Sequence, residues 1–490
     1  MKILNSIWNS FKKIPHALKI VFSAIGRFFA NFVRSFIQGD IFVKASVIWM
    51  GAGYVGRKQY VKAFLMTVFQ AVIILYMITV GVPYLSKFDT LGDVEYESYY
   101  DAELRQNVVN DYDNSFRILL FGLLTIIILI AAVLLWINNV SSVRRLEVQA
   151  KNGKHVNTFK EDVKDMFNKK FHFTLLSLPI LGILVFTILP LIVMILVAFT
   201  NYDQAHMVPG HLFTWVGFRN FKSLFTNSLT NSFGYTFGKI LIWTFVWAFF
   251  ATFTTFIGGI LLSIFINNKK TKVKKLWRTM FIITIAVPQF VTLLLIRNLF
   301  ADTGIINTFC SNIGLTGWLK DIGWINGNFI PFFSGKGWAN VMIILTNIWV
   351  GVPYQMLIAT GVLMNIPEDL YESARIDGAN SRQIFRKITM PYLLFVQGPS
   401  LITSFIANIN NFNVIYLLTQ DVFVTRNPML ANSNGTEVDI LVTWLFRLTQ
   451  DYYNYKMASV IGIMVFIVCA VFTLIAFNFT IKGDREEKFQ

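Results

Sequence analysis

The sequence predicts an all-α integral membrane protein with about eight transmembrane helices. Three observations carry that prediction: too little charge for a soluble chain, eight long apolar runs, and loops whose charge alternates in sign. Of the 490 residues, 55% are hydrophobic and 14% are charged, and the mean hydropathy is +0.55. Soluble domains carry roughly 25% charged residues, so a chain this long and this apolar reads as a bundle of lipid-embedded helices.

A hydrocarbon core about 30 Å thick needs about 20 helical residues to cross it. Runs of that length lie near 63–85, 118–137, 173–199, 240–266, 279–300, 339–363, 392–418 and 457–479. The segment ahead of the first, 1–62, holds ten Lys/Arg and one acid, Asp40. The loop 86–116 reverses that balance, with Asp89, Asp93, Glu95, Glu97, Asp101, Glu103, Asp111 and Asp113 against Lys87 and Arg105. Stretches 138–172 and 267–278 are basic again. Basic loops stay on the inner side of a membrane, so counting alternately places both termini and residues 364–391 in the cytoplasm. The acids of 86–116 read as charge tolerated on the outer face rather than as a cation site. The same distribution argues against nucleic acid, which needs a basic stripe on a polar surface.

In the leader 1–62, Phe11, Ile14, Leu18, Phe22, Ile25, Phe28, Phe29, Phe32 and Phe36 recur at helical spacing between basic residues. That is the pattern of an amphipathic helix on the inner membrane surface; packing against its own bundle is the alternative. Met1 to Gly26 lacks the unbroken apolar core of a signal peptide. Cys310 and Cys469 fall in a loop and in a span, so no disulfide is expected between them.

The eight runs contain no Asp, Glu or His. Intramembrane carboxylates and histidines mark proton- and ion-coupled carriers, so that class is disfavoured. No Gly is followed by Lys-Ser or Lys-Thr, so the phosphate-cradling loop of an ATPase is missing. The five histidines show no metal spacing, there is no nucleophile elbow, and the outer acids are not grouped as in a membrane-embedded enzyme. An ATP-hydrolysing or other catalytic role is not expected of this chain, and a stand-alone channel or secondary carrier is the remaining competitor to a transport subunit.

Residues 364–391 are built differently from the other inner loops. Pro367 suits a first helical position, and Glu368 and Asp369 complement the dipole of a helix starting there. Asp377-Gly378 signals a turn in which Gly378 takes positive φ. Asn380 with Gln383 forms a capping-box pattern, and Arg386 and Lys387 close the last turn. Two short helices with a tight elbow follow. Their apolar residues, Leu370, Ala374, Ile384, Phe385 and Ile388, have two open destinations, a partner or the bundle itself.

Glu372-Ser373-Ala374, Gly378 and Ile388-x-Met390-Pro391 resemble the Glu-Ala-Ala (EAA) loop of ABC importer permeases, with Ser373 for Ala and Met390 for Leu as mild departures. The resemblance implies a coupling helix seated on an ATPase subunit, through Glu372, Ser373, Ala374, Asp377, Gly378, Ile388 and Pro391. It extends over about 175–480, which is similar to the maltose/maltodextrin permeases of the MalF type. Asn347-Ile-Trp-Val-Gly351-Val-Pro-Tyr354, Asn408-Ile-Asn-Asn411 and Phe199-Thr-Asn-Tyr-Asp203 carry that similarity.

Asparagine both donates and accepts, as sugar hydroxyls require, and an aromatic ring such as Tyr354 suits a sugar's apolar face. Asn347, Gly351 and Tyr354 share one helical face at i, i+4 and i+7, and Asn408 and Asn411 share another at i and i+3, with Ser404 one turn earlier. The competing reading is that these polar residues only bond neighbouring helices. The resemblance implies sugar contacts from Asn347, Val350, Gly351, Tyr354, Ser404, Ala407, Asn408 and Asn411. Ala407 stands where enteric relatives place a sugar-stacking aromatic residue.

The stretch 200–239 is too short for those relatives' large outer domain, so a separate, tethered binding lipoprotein would deliver substrate. The resemblance further implies a multi-pass protein of the bacterial plasma membrane, partnered by a second permease subunit and an ATPase dimer. ATP and Mg would sit on the ATPase, with no cofactor on this chain. The substrate would be an oligosaccharide, with maltodextrin ahead of galacto- or arabinogalacto-oligosaccharides. The expected organisation is a leader 1–62, two spans over 63–172, a six-span permease core over 173–480 containing the loop 364–391, and a tail 481–490.

Overall fold

The computed structural model describes Lys19, Ser23, Ala24, 26–226, 232–268 and 270–481, with side chains described as far as 476. The expectations for Phe11, Ile14, Leu18, Phe22 and Ile25, and for the tail beyond 481, lie outside the described residues. The chain divides into two compact units, Met1–Gly217 and Phe218–Gln490. Among the described residues, seven helices are long and apolar enough to cross a membrane, and a bent pair makes an eighth if it counts as one span.

The first unit holds three of these helices: α1 (Tyr60–Leu85), α2 (Ser115–Lys151) and α3 (Phe171–Val197). Between α1 and α2 the backbone pairs as a small antiparallel hairpin, β1 (Ser98–Asp101) with β2 (Gln106–Val109), a departure from the all-α expectation. Asp113 organises the base of this loop. It takes a 2.6 Å bond from Lys87 Nζ and accepts from the backbone N–H groups of Asp93 and Val94. Burial alone would raise its pKa, but these donors outweigh burial and hold the carboxyl below its usual range.

Helix α2 contains the expected span 118–137 and runs on beyond it at both ends. Asn114 caps its start by accepting from the Arg117 N–H, and nothing stops it until Asn152-Gly153, where Gly153 takes φ +67°. The polar residues 138–151 leave the apolar run but not the helix, so α2 carries a buried acid, Glu147. Its carboxylate receives Arg144 Nη1 and Lys151 Nζ, each at 2.6 Å, and the Asp40 N–H at 3.3 Å. A buried charge tolerates its desolvation only with partners of this kind.

The described part of the leader packs on its own unit. Residues 26–38 are helical, with Phe32 tilted against Trp136 at 5.0 Å. Val43 and Tyr54 are buried with Val140 and Val143 of α2. Trp136 Nε1 donates to the Val47 carbonyl, and Asn139 Nδ2 to that of Met50. Phe29 and Phe36 remain exposed, so only part of the amphipathic pattern faces away from protein.

The second unit comprises α4 (Phe233–Asn267), α5 (Lys274–Ala286), α6 (Gln289–Leu299), α7 (Trp338–Met364), α8 (Glu368–Ile376), α9 (Met390–Ile409), α10 (Phe412–Thr419) and α11 (Tyr455–Ala476), with short helices between them. Helices α4 and α7 approach closely through glycines. A Cβ on Gly259 would lie 2.5 Å from Gln355 Cβ and 2.9 Å from the Met356 nitrogen, and one on Gly258 would lie 2.8 Å from Val352 Cγ2. Small residues permit such backbone approach in membrane bundles. Trp247, Leu293, Phe333, Ile343 and Val414 lie in one buried apolar core. Cys310 and Cys469 are both free.

Two expected spans are interrupted. The run 279–300 is α5 and α6, bent by 93°. Pro288 supplies no N–H and pushes Val287 out of the helical region, to ψ 127°. The run 392–418 breaks between α9 and α10, where Asn410 and Asn411 adopt non-helical ψ of 17° and 80°.

Candidate functional site

A cavity of about 400 Å³ opens at the break between α9 and α10, between that segment, α4 and α7. Helix α7 contributes Asn347, Gly351 and Tyr354, which the i, i+4, i+7 spacing places on one face. Ser404, Ala407, Asn408 and Asn411 enter from α9 and the break. Seven of the eight residues singled out in the sequence therefore line one cavity. The eighth, Val350, lies on the adjoining face of α7 and lines a separate cavity of about 690 Å³ at the bend between α5 and α6. Tyr354 lines both cavities and is 55% exposed, which leaves its ring face available.

The asparagines are tied together. Asn408 Nδ2 donates to Thr252 Oγ1 at 2.9 Å, and Asn411 Nδ2 donates to Asn408 Oδ1 at 3.2 Å. Asn411 Oδ1 accepts from the Val414 N–H at 3.4 Å, capping α10. Trp247 Nε1 holds the Asn408 carbonyl at 2.9 Å. Asn347 is buried and donates to the Ala251 carbonyl at 3.4 Å. These bonds fix the amide orientations while leaving further lone pairs and N–H groups toward the cavity. The helix-bonding reading of Asn347 and Asn408 is seen directly in these bonds.

Gly351 is where α7 touches α4, since a Cβ there would stand 2.7 Å from Thr255 Cγ2. Sequence reasoning missed Ala251, Thr252, Thr255, Gln355, Asn410, Phe412 and Asn413, which complete the lining. The two threonines recur at i and i+3 in the span 240–266, a polar pair that marks the face of α4 turned to α7. Irregular backbone at membrane depth persists only where it is buried in protein or lines a cavity, so the break at Asn410 is itself a site marker.

Between α7 and α9, the loop 364–391 folds as two short helices and an elbow. Helix α8 begins after Pro367 and carries Glu372, Ser373 and Ala374, with Glu372 and Ser373 exposed. Its end turns through Asp377 and Gly378, the latter at φ +78° with nothing within 4 Å of a built Cβ. Asn380 and Gln383 form the reciprocal capping box, each side chain accepting from the other's N–H at 2.8 and 2.9 Å. Residues Phe385–Thr389 widen into a π-helical turn containing Ile388, and Pro391 follows at the start of α9.

The apolar residues of this loop divide between buried and exposed positions. Phe385 packs beside buried Leu393 and Val362, whereas Leu370 is 45% exposed and Ile376, which the spacing did not single out, is 86% exposed. Tyr371 Oη and Thr389 Oγ1, 3.2 Å apart, tie α8 back to the start of the span.

Residues 259–481 match the family described as the binding-protein-dependent transport system inner membrane component. The chain is 32% identical over 440 residues to the maltodextrin transport system permease protein MalC of Streptococcus pneumoniae, covering 89% of this chain and 95% of that protein. It is 30% identical over 453 residues to the maltodextrin permease MdxF of Bacillus subtilis, again covering 89% and 95%. It is also 33% identical over 378 residues to that organism's galactooligosaccharide permease GanP, covering 76% and 85%. Among solved structures, a bacterial ABC transporter involved in import of the acidic polysaccharide alginate aligns with TM-score 0.50 and 22% identity, over 66% of this chain and 99% of that one. That likeness supports the permease fold.

Proposed function

Because the chain belongs to the binding-protein-dependent permease family of ABC importers, in its maltose/maltodextrin branch, we propose that it forms half of the membrane path of an ATP-driven oligosaccharide importer, with maltodextrins as the leading substrates. The observation that carries this reading is the cavity at the broken span, where Asn347, Asn408, Asn411, Ser404 and Tyr354 converge. Its amides and hydroxyls offer donors and acceptors to sugar hydroxyls, and the half-exposed Tyr354 ring offers an apolar platform. Ala407, small and exposed at the same cavity, leaves room beside that ring. Galacto-oligosaccharides are the second reading, favoured by the identity to the galactooligosaccharide permease.

The driving force enters at 364–391. Exposed Leu370 and Ile376 dock on the ATPase, Gly378 gives the elbow its shape, and Phe385, Ile388 and Pro391 carry the movement into α9. Closure of the ATPase dimer then shifts the spans between two states of access. ATP and Mg are held by the ATPase, and this chain binds no cofactor. A second permease subunit completes the path, and a tethered sugar-binding lipoprotein delivers substrate on the outer side. The loop charges orient the chain with both termini in the cytoplasm of a bacterial plasma membrane.

The test is sugar-stimulated ATPase activity of the assembled importer in liposomes. Asn408→Ala should raise the maltodextrin concentration for half-stimulation about tenfold, the scale of one or two lost hydrogen bonds, with basal hydrolysis unchanged. An unaltered response in both Asn408→Ala and Tyr354→Ala would remove the cavity from the path. Stimulation by galacto-oligosaccharides alone would move the substrate to the second reading.

A further inference from the structure

The first unit contains a cavity of its own. It measures about 510 Å³ and lies between the helical stretch 26–38 and the polar end of α2. Arg34 enters from one side and Arg144 and Arg145 from the other, with Asn31, Ser35 and Asn138 among the polar residues between them. No carboxylate lines it among the described residues. Arg144 is partly engaged, by its 2.6 Å pair with buried Glu147, and Arg145 Nη2 donates to Ser142 at 2.8 Å. Each still has guanidinium N–H groups to offer, since arginine carries five. Three guanidinium groups around one space with no facing acid form an anion site, and the arginine fork matches phosphate oxygens.

The surroundings say which phosphate. On α2, Leu134 and Leu135 are exposed immediately before Asn138, where the apolar stretch gives way to the cavity. On the 26–38 helix, Phe28 lines the cavity with Arg34, and Phe29, Val33, Phe36 and Ile37 are exposed along the helix's other face. Exposed apolar side chains on both helices place the cavity beside a lipid-facing surface, where a phospholipid can set its anionic head among the arginines and lay acyl chains along Leu134 and its neighbours. Basic pockets between helices near the membrane surface bind anionic headgroups for this reason.

We propose that this cavity is a binding site for the headgroup of an anionic phospholipid, which fastens the 26–38 helix to α2. It requires only that the first unit's helices cross the bilayer, not that the sugar reading be correct.

The test uses the purified full-length chain with phosphatidylglycerol or phosphatidylcholine of identical acyl chains, with bound lipid counted by native mass spectrometry. The wild type should retain phosphatidylglycerol in preference to phosphatidylcholine. Arg34→Gln with Arg145→Gln should weaken phosphatidylglycerol binding about thirtyfold, from the usual contribution of two basic residues near a lipid surface, and leave phosphatidylcholine unchanged. Arg34→Lys with Arg145→Lys should recover part of the loss, because it keeps charge but not the fork. Equal retention of the two lipids by the wild type overturns the proposal even if a variant fails to fold. Equal retention of phosphatidylglycerol by wild type and the glutamine variant does so as well. Tight binding of inorganic phosphate with no preference between the lipids assigns the cavity to a soluble anion and also overturns it.

Discussion

The cavity at the broken span and the elbow at 377–379 each depend on a glycine, for opposite reasons. At Gly351 the backbone is ordinary helix and the space is full, since a Cβ would stand 2.7 Å from Thr255. At Gly378 the space is open and the backbone is unusual, with φ +78°. The cavity is therefore a packed object whose polar groups are over-determined by hydrogen bonds. The elbow is an exposed shape held by caps and a turn. A packed site fails when volume is added, and a shaped one fails when the chain is asked to hold a conformation its residue resists. The proposed roles of the two, substrate recognition and force transmission, are therefore testable by separate substitutions.

The sharpest way to break this contrast is Gly378→Ile. A β-branched residue at positive φ costs about 1–2 kcal/mol of local strain, with no clash to spread it. Uptake by the assembled importer should be abolished, while membrane insertion and sugar binding persist. Near-normal uptake would show that the elbow's shape carries no force. Next in size is Gly351→Leu, which overpacks the α4–α7 contact at a cost of about 1–3 kcal/mol. Thermal unfolding should drop, and sugar should no longer stimulate hydrolysis, while basal hydrolysis continues. Stimulation at wild-type sugar concentrations would mean that the cavity tolerates added volume. The smallest change is Asn380→Ala, which removes one side of the capping box and costs about 1 kcal/mol. Amide exchange at Gln383, whose N–H bonds Asn380, should accelerate with little change in uptake; slow exchange there would show that packing rather than the cap holds the helix.

Periodicity and caps made much of this legible. The spacing of Asn347, Gly351 and Tyr354 is a direct consequence of 3.6 residues per turn, and the Asn380–Gln383 box was readable because caps are local chemistry. The misses share a cause. Hydropathy reports solubility in lipid rather than helicity, so it ended the second span at 137 although Asn138 to Lys151 continue the helix. It likewise averaged across Asn410 and Asn411, whose polarity is too small to interrupt an apolar window but whose backbone breaks the helix. The bend at Pro288 is a matter of one missing N–H and one displaced neighbour, invisible to any window average. Whether Phe385 or Ile376 faces outward depends on tertiary contact, and both look alike as apolar residues on short helices.

Helix α2 has a consequence of another kind. Its 37 residues span about 55 Å at 1.5 Å per residue, against a hydrocarbon thickness of about 30 Å. The helix therefore outreaches the bilayer, and its charged end is a fixed mark on a rod that extends past the membrane. With Glu147 clamped by Arg144, Lys151 and the Asp40 backbone, that mark cannot slide along the rod. Where a thinner bilayer is met by tilt, tilt moves the clamped end together with everything packed on it from Phe32 to Tyr54.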